Sequence, residues 1–461
     1  MPPKPPPTPF PPALRSSPSP QPLPLLIRLT PVLLTLLLSL LILPSFFPSP
    51  WTSSPSTFSL FLRPSFGPPP LVPSPQTQVA PVCGCRDDSL TTLEGGRENT
   101  AIVVLCREED LEELLPTLEN FEAKGNRRWR YPYVFLSSPD AAAFSPSFQS
   151  AIASVLPLGA VVEFSVVPAA HWEIPPRLDE ENVRKGFKEQ ERRGVQYAGR
   201  EGYHHMVRWY SGLWVRSEAL AKYDWFWRLE PGVRYFCDIT YDPIRFLAFH
   251  QKIYGFTITV VENENTIPSL FSTVKRYMEE KGIRPEEWEG DKELWRFLTH
   301  KGEQGEERFS GCHFWTNMEI GDLRFFRSRE YQDFFQYLDE AGGFYHERWG
   351  DAPVRTLALG LFARLSQIHH FSDLGYQHDW FFSCPRSSTS RIPSSLRDTL
   401  LRPGRGIGKS EDVVGCRCEC PKEGESQGRE KGRETVDMAR DWKYSCLEQW
   451  EAAVRRSEGV S

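Results

Sequence analysis

An apolar run, a helical segment and a second apolar run follow one another near residue 100, and this order constrains the fold most. Residues 101–105 (AIVVL) are continuously apolar, as in a strand buried on both faces. Residues 108–124 then carry leucines and a phenylalanine at helical spacing, and residues 131–136 (YPYVFL) form the next apolar run. A strand–helix–strand order of this kind predicts an α/β fold with a mostly parallel sheet flanked by helices.

The remaining composition is uneven and predicts one folded domain between segments of another kind. Residues 48–97 are rich in Pro and Ser with few charges, and such a segment buries too little apolar surface to fold alone, so we expect a stem. Residues 279–308 are charged and punctuated by Gly, which predicts a surface excursion. Residues 386–461 are rich first in Ser and Arg and then in Lys, Glu and Gly. We expect a largely disordered tail there, which could include a short helix over residues 435–455.

The N-terminal region contains a candidate membrane anchor. Residues 29–47 are mostly apolar, and a spanning helix needs about 20 such residues, with about 17 as the lower end. Residues 1–28 carry Lys4, Arg15 and Arg28 and no acid, which predicts a cytoplasmic N-terminus. A cleaved signal peptide is the alternative, but no small-x-small cleavage site follows Leu43. Both interpretations send the rest of the chain into the secretory lumen.

Cysteine usage and charge limit the partners that we expect. Ten cysteines fit an oxidising compartment. One or two disulfides are plausible among the four central ones, in a connectivity that sequence does not reveal: Cys106, Cys237, Cys312 and Cys384. The cysteines at 416, 418 and 420 lack the two-residue spacing of common zinc knuckles, so zinc is disfavoured. The net charge of −6 is mild and no basic stripe is interleaved with aromatic residues, so a nucleic acid is not an expected partner.

The segment from Cys312 to Asp351 carries polar residues that a core helix or strand does not need. An Asn-x-Glu sequence that ends at Glu319 lies inside an aromatic run, and Glu-Arg-Trp-Gly-Asp follows Gly-Gly before Asp351. A pocket that transfers a sugar needs this combination: aromatic faces for the ring, carboxylates for the reacting carbon, and an arginine or metal for the leaving phosphate. The segment therefore favours sugar chemistry.

Six segments, in order along the chain, resemble the fungal α-1,2-mannosyltransferases of glycosyltransferase family 15. They are residues 203–212 (YHHMVRWYSG), 223–231 (YDWFWRLEP), 237–243 (CDITYDP), 254–258 (YGFTI), 312–351 and 371–378 (FSDLGYQH). The resemblance spans about residues 98–385. It implies that this region is a catalytic domain with a GT-A-type nucleotide-sugar fold.

The resemblance also implies an activity and a location. A retaining enzyme of this family would move mannose from GDP-mannose to a mannosylated glycoprotein or glycolipid, in protein or lipid glycosylation and cell-wall mannan synthesis. It would be a single-pass type II protein of the Golgi membrane with its catalytic domain in the lumen. Mn²⁺ is the expected cofactor, because a divalent cation that accepts oxygen and imidazole ligands can neutralise a leaving diphosphate.

Two residues are candidates for the metal site. Residues 225–229 are typical of a strand, Glu230 follows directly, and Pro231 and Gly232 supply a turn. The family places a metal-ligating glutamate at this point but usually continues Glu-Pro-Asp, so Gly232 departs from the pattern and removes a second acid. The family also places a metal-ligating histidine at His378. Without these motifs, Glu230 would be interpreted as a solvated acid and His378 as a structural histidine.

The resemblance assigns chemistry to two acids and donor binding to three other residues. Glu319 is the candidate nucleophile for double displacement, whereas in a front-face mechanism it would stabilise charge or bind an acceptor hydroxyl. Asp351 would bind donor or acceptor hydroxyls, with a structural salt bridge to Arg348 or Arg355 as the alternative. Tyr203, Arg208 and Arg228 are expected on the donor side, where arginine can bind phosphate through two hydrogen bonds.

Two other functions are compatible with these residues. A catalytically weak or inactive family member that binds glycans or regulates is the main alternative, suggested by Gly232, the charged stretch at 279–308 and the unusual tail. A lectin-like module fits less well, since a lectin does not need Glu230, Glu319 and His378 together.

Overall fold

The computed structural model describes residues 96–141, 143–285, 293–385, 414–421, 435–441 and 443–459. The expected cytoplasmic tail (1–28), membrane anchor (29–47) and almost all of the stem (48–97) lie outside these residues. Among the helices that are described, none combines the length and the apolar character needed to cross a bilayer.

Short strands build a central sheet and smaller sheets beside it. In chain order the described strands are β1 (Thr100–Leu105), β2 (Tyr133–Ser137), β3 (Val162–Val166), β4 (Trp225–Arg228), β5 (Arg234–Tyr235), β6 (Tyr254–Phe256), β7 (Thr259–Val261), β8 (Thr299–Lys301), β9 (Glu307–Phe309), β10 (Cys312–Phe314), β11 (Glu319–Asp322), β12 (Ile368–His370), β13 (Tyr376–His378), β14 (Phe381–Ser383) and β15 (Val436–Asp437). The central sheet has seven strands in the order β12-β6-β11-β4-β1-β2-β3.

The predicted parallel sheet is confirmed in its first half. β1 pairs in parallel with both β2 and β4, and β2 pairs in parallel with β3. Residues 100–104 are all buried, which explains why β1 is continuously apolar rather than alternating. β11 runs antiparallel between β4 and β6, so the sheet is mixed with a parallel majority.

Helices surround this sheet. In chain order the described α-helices are α1 (Leu111–Phe121), α2 (Arg127–Trp129), α3 (Pro146–Val155), α4 (Glu180–Arg192), α5 (Glu201–Arg208), α6 (Pro243–Phe249), α7 (Leu270–Lys281), α8 (Glu293–Leu298), α9 (Leu323–Phe326), α10 (Arg329–Ala341), α11 (Gly343–His346), α12 (Asp351–Phe362) and α13 (Leu447–Ser457). Alternate residues of β1 enter two hydrophobic cores: Ala101 and Val103 lie in one, and Ile102 and Val104 in the other. Both faces of the sheet are therefore covered.

The first predicted helix is confirmed with different ends. α1 is preceded by a 3₁₀ turn at Glu108–Asp110 and followed by a π turn at Glu122–Asn126. Leu114, Leu118 and Phe121 are fully buried, in agreement with the helical spacing of the apolar residues.

A four-stranded sheet fixes the position of a candidate ligand. Its order is β15-β14-β13-β5. β13 pairs antiparallel with β5, where Gln377 lies opposite Arg234, and also with β14. β15, from the C-terminal region, pairs in parallel with β14. His378, the last residue of β13, is thereby held beside the turn that precedes β5.

The described part of the C-terminal region is folded, and the short helix expected over residues 435–455 is confirmed with different ends, as α13 at Leu447–Ser457. Trp450, on α13, is 1% exposed. Its ring lies 5.1, 5.6 and 5.5 Å between centroids from the rings of Phe256, Phe297 and Phe314. The folded domain therefore extends beyond residue 385. The buried side chains of α13 recur every three residues, at 447, 450 and 453.

The expected pairing among the four central cysteines is also wrong. Three of the four instead bond to the tail: the disulfides are Cys237–Cys418, Cys312–Cys446 and Cys384–Cys420. Cys106 is free and buried, and Cys416 is disulfide-bonded as well. This pairing follows from the tail's return to the domain, which brings its cysteines to strands distant in sequence.

The charged stretch at 279–308 is not simply a surface excursion. Within it, α8 buries Leu294, Trp295 and Leu298. Arg456 of α13 donates a hydrogen bond to Glu293 at 2.7 Å. α8 therefore joins the tail helix to the core, and its charges form the outer side of that contact.

Replacing Trp450 by Ala should lower the free energy of unfolding by about 3–5 kcal/mol, because a large buried aromatic side chain is lost. Urea denaturation followed by circular dichroism measures this. Arg455→Ala, on the exposed face of the same helix, is the matched control and should change stability by less than about 0.5 kcal/mol. Equal stability of the Trp450 variant and the control would contradict the placement of α13 in the core.

Candidate active site

The end of β4 and the start of β11 place opposite charges side by side. Arg228 ends β4, Glu319 begins β11, and the two residues are direct partners across the antiparallel pair. Because β11 runs against its neighbours, Glu319 lies at the edge where the parallel strands end. Ligands of α/β sheets bind outside this edge.

Arg228 connects three carboxylates. Its Nη1 donates to Asp351 Oδ2 at 2.7 Å and lies 3.5 Å from Glu319 Oε1, while its Nη2 donates to Glu230. The guanidinium is buried and lies 3.5 Å from the centroid of the Tyr210 ring. Burial alone would lower the pKa of Arg228, but the surrounding negative charges raise it well above its ordinary value. Arg228 is thus a permanent positive charge among acids.

Glu319 is fully buried, and both of its oxygens accept hydrogen bonds. Tyr254 donates its hydroxyl to Oε2 at 2.9 Å, and Arg355 donates to Oε1. Burial raises the pKa of Glu319, although the positive charges of Arg355 and Arg228 act in the opposite direction. The ionised carboxylate depends on these two arginines, since a buried charge without partners is strongly destabilising.

Asp351 is the first residue of α12, where the helix dipole favours a negative charge. Its Oδ2 accepts hydrogen bonds from Arg228 at 2.7 Å and from Thr316 at 2.9 Å. Burial would raise its pKa, but the charges of Arg228 and Arg355 outweigh this and hold the pKa of Asp351 below its ordinary value. Asp351 is therefore ionised at neutral pH.

The structure brings together the two candidate metal ligands, which are 148 residues apart in the sequence. His378 Nε2 lies 3.6 Å from Glu230 Oε2, and the other oxygen of Glu230 accepts from Arg228. Both side chains are partly exposed, at 18% and 22%. This pair of an oxygen and an imidazole nitrogen suits Mn²⁺.

The chemistry of this donor pair fits a cation that takes its other ligands from elsewhere. Among the described residues, no group of three or more His, Cys, Asp or Glu side chains is arranged to hold a metal ion. Glu230 and His378 would thus supply two ligands, which leaves the other positions to a diphosphate or to water.

The departure at Gly232 has a local explanation. This glycine has φ of +83°, a backbone conformation that residues other than Gly rarely adopt. A Cβ at this position would lie 3.4 Å from the carboxylate oxygen Oε2 of Glu113 on α1. An acid at 232 would therefore meet both backbone strain and a like charge, and Glu113 already places a carboxylate beside the turn.

A cavity of about 870 Å³ borders His378 on the side of α1. Its walls come from α1, the turn at 231–234 and residues 377–379. Three of the lining residues are Glu112, Glu113 and Glu119. These carboxylates would repel a bare diphosphate, and a cation, together with Arg234 in the same lining, would reduce that repulsion.

The three expected donor-side residues lie in different surroundings. Arg228 has its two terminal nitrogens on carboxylates, so its predicted two-pronged bond to phosphate stays a prediction that requires those contacts to open. Arg208 is not brought to this cluster. It forms a buried ion pair with Asp339, through Nε at 2.6 Å and Nη2 at 3.1 Å. Tyr203 lies near Asp351, with its ring 5.5 Å from the guanidinium of Arg348.

Sequence reasoning named Arg355 only as an alternative salt-bridge partner of Asp351, and it missed Tyr254. Arg355 lies one helical turn after Asp351, and its other terminal nitrogen donates to the carbonyl of Tyr210. An acid and an arginine four residues apart in a helix share one face, which was an available signal. Tyr254 opens one of the six family-like segments, but its sequence neighbours gave no sign of a carboxylate partner.

Comparisons with known proteins indicate one family. The family model described as glycolipid 2-alpha-mannosyltransferase matches residues 78–395. O-glycoside alpha-1,2-mannosyltransferase omh1 of Schizosaccharomyces pombe is 37% identical over 299 residues, which cover 65% of this chain and 74% of that protein.

Two solved structures are similar over most of the chain. The mannosyltransferase Ktr4p from S. cerevisiae in complex with GDP has a TM-score of 0.66 and 31% identity, covering 84% of this chain and 90% of that one. Core-mannan synthase A from Aspergillus fumigatus, in an Mn/GDP form, has a TM-score of 0.63 and 29% identity, covering 85% and 94%.

The residues that the family model matches include every candidate site residue. They begin before and end after the region, about 98–385, in which the ordered motifs were found. The chain therefore belongs to the glycolipid 2-alpha-mannosyltransferase family.

Proposed function

We propose that this chain is a retaining α-1,2-mannosyltransferase that uses GDP-mannose, Mn²⁺ and a mannoside acceptor. The observation that carries the proposal is the continuous series of contacts from His378 through Glu230 and Arg228 to Glu319 and Asp351. The series connects a cation site, suited to a leaving diphosphate, with two buried carboxylates suited to a reacting sugar. A relative named as an alpha-1,2-mannosyltransferase and a solved structure that contains GDP support the same substrates.

The proposed catalytic domain has a GT-A-type nucleotide-sugar fold. Two features support this: a sheet with a parallel majority, and an acid, Glu230, directly after its central strand β4. The similarity to the two mannosyltransferase structures supports it as well.

Glu230 and His378 form the leaving-group side of the site. Mn²⁺, when bound there, would neutralise the diphosphate as the bond between sugar and phosphate breaks. Glu230 is oriented for this role because Arg228 donates to one of its oxygens, while the other faces His378. His378 is oriented by the pairing of β13 with β5 and β14.

Glu319 and Asp351 form the sugar side of the site. A sugar that loses its phosphate becomes oxocarbenium-like, so fixed negative charge nearby lowers the barrier. Glu319 has no exposed surface, and both of its oxygens accept hydrogen bonds. We therefore assign it charge stabilisation rather than covalent attack, which favours a front-face mechanism over double displacement.

The acceptor and the location are part of the same proposal. We propose a Golgi membrane protein of type II with a lumenal catalytic domain, and the disulfides support an oxidising lumen. Its acceptor would be a mannosylated glycoprotein or glycolipid in glycosylation and cell-wall mannan synthesis. The alternative, a weak or inactive family member, rests on Gly232, the charged stretch at 279–308 and the unusual tail. Glu113 places a carboxylate beside the turn at Gly232, which weakens the first of these three grounds.

Incubation of the lumenal region, residues 90–461, with GDP-mannose, MnCl₂ and methyl α-mannoside tests the activity directly. An α-1,2-linked dimannoside supports the proposal, and a protein that binds GDP without forming product would favour the inactive alternative.

Chelation with EDTA should abolish transfer and added Mn²⁺ should restore it, because the cation neutralises the leaving group. Full activity in excess EDTA would contradict the metal site.

Replacing His378 by Ala should raise the Mn²⁺ concentration needed for half-maximal activity by at least about tenfold, because a ligand to the metal is lost. A metal titration of the initial rate measures this. His300→Ala, which removes an exposed histidine on β8, is the control and should leave the titration unchanged. An unchanged titration in the His378 variant would make its imidazole structural.

Glu319→Gln keeps the shape of the side chain and removes its charge. kcat should fall by roughly 10²-fold or more while the KM for GDP-mannose changes little, the pattern of a lost transition-state interaction. Glu340→Gln, at an exposed position on α10, is the control. A near wild-type kcat in the variant would show that Glu319 takes no part in catalysis. A mannosyl adduct on Glu319 of the wild-type protein, seen in mass spectra, would support double displacement instead.

A further inference from the structure

Arg348, three residues before Asp351, is a buried cation whose side chain makes no hydrogen bond within the described part of the chain. It is 6% exposed. Its Nη2 lies 3.8 Å from Glu262 Oε1, too far for a hydrogen bond, and its Nε is buried without a partner. Buried guanidinium groups are normally hydrogen-bonded, so a buried guanidinium without partners is available to donate hydrogen bonds to a ligand.

Glu262 faces the same point with a fixed carboxylate. Its Oε1 accepts from the backbone N–H of Asn263 at 2.8 Å, which sets the orientation of the group. Its Oε2 lies on the side of Gly350. A carboxylate oxygen and a guanidinium therefore stand next to each other, one accepting and one donating.

Gly350 leaves space between these two groups. A Cβ at this position would lie 3.3 Å from Pro353 Cδ, 3.6 Å from Arg348 Nη1 and 3.7 Å from Glu262 Oε2, so the gap at Gly350 admits a single small group such as a hydroxyl. The residue after it is Asp351, so the recess borders the proposed reaction centre. Burial raises the pKa of Tyr203, whose ring lies by Arg348, to about 12, and its hydroxyl stays protonated at neutral pH.

The charges of this recess select its ligand. Arg348 and Glu262 together carry no net charge, and Arg228 already balances the charge of Asp351, so the recess offers no net positive charge to a phosphate. Two neighbouring hydroxyl groups fit better, because one can donate to the carboxylate while the other accepts from the guanidinium.

We propose that Glu262 and Arg348 bind two adjacent hydroxyls of the acceptor sugar and are specificity-determining residues for the acceptor. The inference rests on the proposed function, since it requires that a mannoside acceptor enters this site. Neither Glu262 nor Arg348 belongs to the proposed metal and diphosphate site.

Kinetics of the full-length protein in detergent test it, with methyl α-mannoside as acceptor and the variants Glu262→Gln and Arg348→Met. Both should raise the KM for the acceptor by roughly tenfold or more, the loss of a hydrogen bond to a charged group. GDP binding in the presence of Mn²⁺ and the hydrolysis of GDP-mannose without acceptor should stay within about twofold of wild type, because the donor side is untouched. Glu264→Gln, an exposed acid two residues away, is the matched control.

Monodeoxy analogues of methyl α-mannoside, lacking the hydroxyl at carbon 3, 4 or 6, sharpen the test. At least one should bind wild type much more weakly than the parent sugar, and this penalty should disappear in Glu262→Gln or Arg348→Met. An unchanged acceptor KM in both variants overturns the inference while the proposed function stands. Variants that lose GDP binding, or only donor hydrolysis, also overturn it, because the pair would be structural or would bind the donor sugar. A wild-type protein that transfers no mannose refutes the proposed function, and the inference with it.

Discussion

A fully buried carboxylate between two arginines is the interaction on which the rest of the site depends. Glu319 has no exposed surface, and its charge is balanced by Arg355 on one side and Arg228 on the other. Removing one partner from a buried ion pair typically lowers the free energy of unfolding by about 3–5 kcal/mol, so the folded state depends on having all three residues together. Because Arg228 also pairs with Asp351 and Glu230, one guanidinium couples the sugar side of the site to the metal side.

The fold supplies each member of this network from a different element. β4 and β11 place Arg228 and Glu319 opposite each other, α12 carries Asp351 and Arg355 one turn apart, and β13 brings in His378. The C-terminal region stabilises the same arrangement through contacts with the two sheets that carry Arg228, Glu319 and His378. β15 extends the sheet that carries His378, and the ring of Trp450 packs on Phe256, the direct partner of Glu319 in β6. The described residues of the C-terminal region thus form part of the folded domain that carries the site.

Features whose signal is local in sequence were predictable. A continuously apolar strand and a helix with regular apolar spacing identified β1 and α1, and ordered motifs identified Glu230, Glu319, Asp351 and His378 as site candidates. Contacts between distant residues were not predictable. Arg355 lies 36 residues from Glu319, and Arg208 lies 131 residues from Asp339. The disulfide pairing was not predictable for the same reason, because two of the three bonds join cysteines that are 181 and 134 residues apart.

The central claim is that a cation at Glu230 and His378 is joined through Arg228 to the buried acids. Anomalous diffraction from a crystal grown with Mn²⁺ and GDP tests it most directly. The expected result is one manganese peak within coordination distance of Glu230 and His378 Nε2, with Arg228 still hydrogen-bonded to Asp351. A manganese peak elsewhere, or one at Glu230 with Arg228 turned away from the acids, would contradict it.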